Sequence, residues 1–410
     1  MVGMSELKLV EKPRGWRVQS VDVLRGLTVA LMILVNDPGD WGKMYSQLDH
    51  AEWNGWTLTD LVFPNFLFLV GCSLVFSMEA RLAKGGSRKA LAWHLLRRSL
   101  SVLLLGWFLA LAPYFHFTRL RLYGVLPRIA LVGFLAGLVC LFVRRVKPLV
   151  GISAVLLIGY LVVMRWVNVP GLGHPGVDFP FMDKDLNMAA WMDRGVTAFL
   201  QATVHTGRLY EKTRDPEGLL STVPAVATAL LGAAAGSWML KMDGGRKVGI
   251  EAMRRCRNWL LGAGVASFAL GETWNVWFPI NKRLWTSSYV LMAAGISLAL
   301  LGAWYWDLDV RRAHQRSKVM RWLTWPWLVF GSNAIVAFTV SIVLVKTLLL
   351  IKVTDSWSGK SIAVWNWCYR HGFARGNSTP FKSILFAILV VMICFVPNWL
   401  LWRKKIFIKL

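Results

Sequence analysis

Long apolar runs recur from one end of this 410-residue chain to the other, and nothing constrains its fold more. A helix that crosses a bilayer needs ~20 consecutive, mostly apolar residues, because in lipid each backbone N–H and C=O must be satisfied within the segment itself. Ten such runs can be read, at about 18–36, 58–78, 91–112, 122–143, 148–168, 219–241, 258–275, 285–306, 325–350 and 381–402. Hydrophobic residues make up 56% of the chain and charged ones 17%, a balance that a soluble domain does not carry. The expectation is an all-α fold: a polytopic transmembrane helical bundle of about ten spans.

The formal net charge of +25 would suggest nucleic acid in a soluble protein. Here the basic residues fall in the short connections between apolar runs, which points to membrane topology and anionic lipid instead. No nucleic acid is expected; the bilayer is the expected partner. Arg81, Lys84, Arg88, Lys89, Arg97 and Arg98 follow the second run, and Arg144, Arg145 and Lys147 the fourth. Lys241, Arg246, Lys247, Arg254, Arg255 and Arg257 follow the sixth; Arg311, Arg312, Arg316, Lys318 and Arg321 follow the eighth; Arg403, Lys404 and Lys405 follow the last. All fall on one side, the cytoplasmic side by the positive-inside rule, so both termini are expected there. The opposite connections hold Asp37, Asp40, Asp49 and Glu52, then Asp178, Asp183, Asp185, Asp193, Glu211, Asp215 and Glu217 in the long loop 169–218.

The expected organisation is a cytoplasmic segment 1–17, one transmembrane domain 18–402, and a basic tail 403–410. No cleavage site follows the first run, so no signal peptide is read. Within the long loop, Asn187 to Ala202 reads as an amphipathic surface helix. Asp215-Pro216-Glu217-Gly218 reads as the start of the next span, with acid at the positive helix end. The five cysteines are scattered, so neither a disulfide framework nor a metal site is expected.

Ionisable groups inside a membrane are costly and mark function. Asp22 and Arg25 lie three apart and can face one another, as a structural ion pair or as part of a site. Asp60, Arg128 and Glu272 are expected at the outer ends of their helices, converging beneath the loop that holds His50. Lys346 is expected to snorkel toward the interface. His50 has Asp49, Glu52, Asn54 and Asp60 within ten residues. A neighbouring carboxylate raises histidine basicity and fixes its tautomer, which suits a general base or an acyl-accepting nucleophile; a plain surface histidine is the alternative. Trp41, Trp53, Trp56, Trp274, Trp277 and Trp285 fall on the outer side, as belt residues or as faces for sugar rings. Arg97, Arg98 and the 254–257 cluster offer phosphate contacts, or serve topology alone.

Several ordered blocks resemble one family. They are Ser20-Val21-Asp22-Val23-Leu24-Arg25-Gly26-Leu27-Thr28, Val35-Asn36, His50-Ala51-Glu52-Trp53-Asn54-Gly55-Trp56 and Thr59-Asp60-Leu61-Val62-Phe63-Pro64. Gly124-Val125-Leu126-Pro127-Arg128 follows, with Pro127 where glutamine is common, and then Asp215-Pro216-Glu217-Gly218. Pro279-Ile280-Asn281-Lys282-Arg283-Leu284-Trp285, Gly331-Ser332-Asn333 and Lys404-Lys405-Ile406-Phe407 complete the set. From Arg17 onward the chain resembles the heparan-α-glucosaminide N-acetyltransferase family. The resemblance implies transfer of an acetyl group from cytosolic acetyl-CoA to an amino sugar across the membrane. It puts the active-site histidine at His50 and an active-site asparagine at Asn36, with Asp60 or Asp49 to orient the ring. Arg97, Arg98, Arg25, Asn281 and Lys282 are then expected toward the donor. Asn54, Trp53, Glu217, Arg128 and Trp285 are expected toward the sugar. Lacking the extra lumenal domain of lysosomal members, the chain is expected in a bacterial inner membrane, as a homodimer. Two other readings stay open: an amino-sugar or N-acetylglucosamine transporter with Asp22, Asp60 and Arg128 as a proton relay, and an acyltransferase for another cell-envelope glycan.

Overall fold

The computed structural model describes residues 9–11, 18–243 and 247–408. Most of the expected 1–17 segment, Arg246 and the last two residues of the basic tail lie outside them. Two short antiparallel ribbons accompany the helices: β1 (Leu9–Glu11) with β2 (Lys247–Gly249), and β3 (Lys352–Thr354) with β4 (Ser361–Ala363). The helices are α1 (Gln19–Asn36), α2 (Val62–Leu82), α3 (Arg88–Leu111), α4 (Val125–Phe142), α5 (Val146–Trp166), α6 (Met188–Val204) and α7 (Thr222–Asp243). They continue as α8 (Ile250–Trp274), α9 (Ser287–Trp304), α10 (Ala313–Arg316), α11 (Lys318–Ser332), α12 (Ala334–Leu350), α13 (Val364–Tyr369) and α14 (Pro380–Arg403).

Among the described residues eight helices are long and apolar enough to cross a membrane, and the α11–α12 pair would add a ninth. The run expected at 258–275 lies within α8, which opens on Glu251, Arg254, Arg255 and Arg257 and is not among the eight; it packs along α9. Burial sorts the bundle into an inside and a rim. The apolar stretch of α7 is 78% buried, against 22% for α3 and for α5, so α7 is enclosed by protein while α3 and α5 turn most of their apolar surface outward. Small residues let the inner helices touch. A Cβ on Gly71 of α2 would stand 1.7 Å from the Ala229 carbonyl oxygen of α7.

The ninth expected run, 325–350, is not continuous. It breaks at Asn333 (φ −134°, ψ 50°), and α11 and α12 meet at 81°. Three interactions hold the break. Gly331 lies against α1 so closely that a Cβ there would meet the Asp22 carbonyl oxygen at 2.0 Å. Arg25 Nε donates to the Gly331 carbonyl at 3.0 Å, taking that acceptor out of the helix. The Asn333 amide donates to the Ile406 carbonyl (3.0 Å) and accepts from the Ile408 N–H (2.8 Å), tying the basic tail to the bend.

At the other end of α1, Asp309 supplies a cap from a distant segment: its carboxylate accepts from the N–H groups of Gln19 (2.8 Å) and Ser20 (3.0 Å), orphan donors of a first helical turn. The surface helix expected at 187–202 is α6, capped by Asn187, which accepts from the Ala190 N–H at 3.0 Å. The Asp215–Gly218 run does not open a helix; α7 begins at Thr222. That run remains in the connection, where its carboxylates meet arginines.

Candidate active site

The His50 loop is folded by its own carboxylates. Asp49 accepts the His50 backbone N–H at 2.7 Å, and its carbonyl accepts the Thr57 hydroxyl at 2.6 Å. Asp49 therefore shapes the backbone; no hydrogen bond joins it to the imidazole. At Gly55 (φ +97°) the chain turns in a conformation that favours glycine. The Gly55 N–H then donates to the Ile280 carbonyl at 2.8 Å, joining this loop to the connection between α8 and α9.

Asp60 stands in the short helical turn that opens α2, and is 1% exposed. One carboxylate oxygen lies 2.7 Å from His50 Nδ1. The other accepts from the N–H groups of Ala51 and Thr57, both at 3.1 Å, and lies 3.2 Å from the Thr57 hydroxyl oxygen. With so many donors aimed at it, the group serves as a carboxylate that only accepts, which assigns the proton to Nδ1 and leaves the lone pair on Nε2. Tyr289 of α9 donates to the Asp60 carbonyl at 2.5 Å and anchors the same turn from behind.

Lys282 completes the group. Its Nζ lies 3.1 Å from His50 Nε2, 3.3 Å from Nδ1 and 3.9 Å from Asp60 Oδ1. Burial holds this amine below its ordinary value, against the upward pull of Asp60 and Glu217; Arg283 and Arg128 add to the lowering.

Asn281, fully buried, secures this turn. It donates to Asn54 Oδ1 (3.2 Å), accepts from the Leu284 N–H (2.9 Å), and receives its backbone partner in Thr286 Oγ1 (3.0 Å). Trp285, expected to face a sugar, is enclosed instead. It is 1% exposed, donates to Thr228 at 3.1 Å, and packs edgewise against Phe63 and Tyr289 at 5.2 and 5.4 Å between ring centroids. The Arg128 guanidinium lies 5.2 Å from the Trp285 ring centre. Arg128 is 2% exposed and donates through Nη2 to the Gly218 carbonyl (2.9 Å) and to Ser221; its Nε and Nη1 have no hydrogen-bond partner among the described residues.

A second polar layer lies beside this one. Arg121 bonds both oxygens of Asp215 (2.8 and 2.6 Å) and also Glu217. Glu217 thus has a cation of its own, while remaining within electrostatic range of Lys282. Asp193 of α6 accepts from the Leu219 N–H at 2.9 Å and the Asp215 N–H at 3.4 Å, and burial pushes its carboxyl up to about 7. Trp53 donates to the Met182 carbonyl at 2.9 Å, with Arg214 4.7 Å and Lys184 5.8 Å from its ring centre. Asn54 and Asn36 are exposed; Trp41 donates to the Asn36 carbonyl at 3.3 Å.

Other expected members lie apart. Glu272, expected to converge here, makes no hydrogen bond or ion pair among the described residues; it stands near the end of α8. Lys346 donates to the carbonyls of Leu109 and of Ala112, the latter at 2.9 Å, closing the end of α3. Arg25 bonds Asp22 (2.5 Å), the Gly331 carbonyl (3.0 Å) and Ser73 (3.5 Å), so this pair binds three helices. Arg98 lies within electrostatic range of Arg25 and Arg81, and Arg97 is exposed on the same helix. Tyr289 and Arg121 were not anticipated as members. Arg121 stands three residues ahead of the Gly124 block, with Arg119 in an outer connection that holds no acid, and that departure from the charge trend of this side was the available signal.

Residues 17–270 match the family model described as "Heparan-alpha-glucosaminide N-acetyltransferase, catalytic". The heparan-alpha-glucosaminide N-acetyltransferase of Homo sapiens is 29% identical over 359 residues, covering 78% of this chain and 52% of that protein. The Mus musculus protein of the same name is 27% identical over 365 residues, covering 78% of this chain and 53% of its own. The chain spans about half the length of the curated relatives it matches.

Proposed function

The chain belongs to the heparan-alpha-glucosaminide N-acetyltransferase family through its catalytic segment, and from that premise we propose that it is a membrane acetyltransferase acting on the amine of a glucosamine-type sugar, with acetyl-CoA as donor. The observation that carries the reading is the His50–Asp60 contact of 2.7 Å, with Lys282 on the same imidazole. Oriented through Nδ1, the ring presents Nε2 as a base.

In direct transfer the sugar amine attacks the thioester carbonyl. A C–N bond forms, the C–S bond breaks, Nε2 takes the proton lost by the nitrogen, and that proton passes to the leaving thiolate. In a two-step route Nε2 first takes the acetyl group as the C–S bond breaks and the thiolate leaves; the amine then attacks that acetyl group, the C–Nε2 bond breaks, and the proton lost by the amine neutralises the thiolate. Asn36, exposed at the end of α1, is assigned to polarise the carbonyl as an oxyanion donor. Asn54 and Glu217 are assigned to the sugar. Arg128 supplies the fixed positive charge behind them. Arg97, Arg98 and Arg25 are assigned to the donor phosphates, with both termini and these arginines on the cytoplasmic side and His50 across the membrane.

The test is acetyl transfer from radiolabelled acetyl-CoA to glucosamine by purified protein in detergent. Catalysis needs no sealed membrane, whereas a transporter shows its activity only across one. Donor-dependent acetylation lost in His50→Ala supports the reading. Undiminished transfer by a folded His50→Ala variant removes it. Label retained on the protein without acceptor identifies the two-step route.

A further inference from the structure

The segment between α12 and α14 joins the ends of two membrane-crossing elements, so it emerges where lipid headgroups lie. It is on the same side of the bundle as His50. Ser378 donates to Asp40 at 2.6 Å, the Gly39 N–H donates to the Ser383 carbonyl at 3.3 Å, and Trp41 stacks on Trp365 with ring centroids 5.7 Å apart. These contacts seat it on the stretch that leads into the His50 loop.

It carries the largest net positive charge of the connections on this side. From 351 to 382 the bases are Lys352, Lys360, Arg370, Arg375 and Lys382, and the single acid is Asp355. Asp355 is fully buried and accepts from Ser358 (2.5 Å) and Arg370 (3.1 Å), with His371 Nε2 at 2.7 Å. The one negative charge is therefore consumed internally. Lys352, Lys360, Arg370 and Arg375 stay exposed. The positive-inside rule disfavours such an excess on the far side, so topology does not account for it. Asp355 also builds a surface. By fixing His371, it holds the imidazole between Trp357, with centroids 4.0 Å apart, and Trp367, at 4.9 Å. Both indoles are themselves exposed, at 55% and 39%, and Arg370 immediately precedes His371 in sequence.

Exposed indole faces take sugar rings or sit among headgroups, and an exposed guanidinium takes phosphate. Resting on the acetyltransferase reading above, we propose that this platform binds a phosphate-linked membrane lipid that carries the acceptor amino sugar. The acceptor class is then a lipid-anchored amino sugar, held by its phosphate at Arg370 and the neighbouring lysines, with its sugar reaching the first outer loop.

The experiment uses the full chain in phosphatidylcholine nanodiscs with three acceptors. They are free glucosamine, octyl glucosaminide (a lipid tail without phosphate) and glucosaminyl-phosphatidylinositol. The expected kcat/KM is highest for the phosphate-linked lipid. In Arg370→Gln its preference over free glucosamine falls about tenfold, the worth of one charge-assisted hydrogen bond. Lys352→Gln/Lys360→Gln, whose side chains are exposed, lowers the same ratio if folding at Arg370→Gln is impaired. Equal kcat/KM for all three acceptors overturns the proposal, as does a preference for octyl glucosaminide equal to that for the phospholipid. Absence of transfer to any of them counts against the acetyltransferase reading instead. In that case retention of phosphatidylinositol over phosphatidylcholine by native mass spectrometry still decides whether the platform binds a lipid phosphate whose charge no choline balances: retention lost in Arg370→Gln supports it, and no preferential retention overturns it.

Discussion

Lys282 sets its ammonium 3.1 Å from Nε2 of His50 and 3.3 Å from Nδ1. At nearly equal distances from both nitrogens it lies off the line of the one lone pair, on Nε2, so it faces the ring as a charge more than as a donor. Its folded value lies below the ordinary 10.5, so between the two the unfolded chain binds the extra proton. Stability therefore rises with pH across that window. In Lys282→Met this titration is gone. The wild type should gain stability relative to the variant as pH climbs from the depressed value toward 10.5. Thermal melts of both proteins over that range check it; parallel curves contradict the assignment.

His50→Ala should lower kcat by roughly a hundred- to ten-thousand-fold, the usual range for a positioned acid–base group. Asp60→Asn should also lower kcat, because an amide can offer its NH₂ to Nδ1 and turn the ring tautomer around. The Asp60→Asn loss should be smaller in KM for the acceptor than in kcat. Steady-state kinetics on both variants, with melting temperatures to establish folding, provide the measurement.

Asp193 titrates from about 7 in the fold, above the ordinary carboxylate value. The folded state then holds a proton that the unfolded chain has released, and stability falls as pH rises from about 4 to about 7. Asp193→Asn keeps an acceptor for the Leu219 N–H and removes the titration. The variant should match the wild type near pH 4 and exceed it near pH 7, by an amount on the order of a few kcal/mol. Denaturation at the two pH values tests this; a difference that does not change with pH would falsify it.

Asn333→Ala removes both bonds to the tail. The expected cost is about 1–3 kcal/mol, as for a buried polar network that loses one partner. Hydrogen exchange at the Ile408 amide should rise sharply while α12 stays protected. Unchanged protection at Ile408 would show that other contacts hold the tail.

The span pattern was legible because each helix must be apolar over its membrane length, and that requirement is local. The broken element at Asn333 was not, because both of its halves are apolar and the cause lies in α1 and in the tail, hundreds of residues away in one case. The pairing of His50 with Asp60 could be anticipated, since a loop and a helix start ten residues apart bring them together. Lys282 reaches the same ring from 232 positions away, and the Gly55–Ile280 and Asn54–Asn281 contacts put it there. Trp285 shows the opposite failure: tryptophan at a membrane edge suits an interface, yet here its neighbours are Phe63, Tyr289 and Thr228. The Asp355 platform went unread because a basic connection on that side contradicts the charge count, and the count was taken from the other loops.

The bend between α11 and α12 has an electrical consequence. A helix end carries roughly half an elementary charge, negative at the C-terminus and positive at the N-terminus. Breaking one element at Asn333 brings two such ends, of opposite sign, within a few residues of each other inside the bundle, and Arg25 is bonded to the negative one. An unbroken helix would have moved those poles to the bundle's two faces. The bend instead builds a short-range field beside α1, which weakens quickly with distance and so acts on groups that pass close to Arg25 while leaving the His50 side almost untouched.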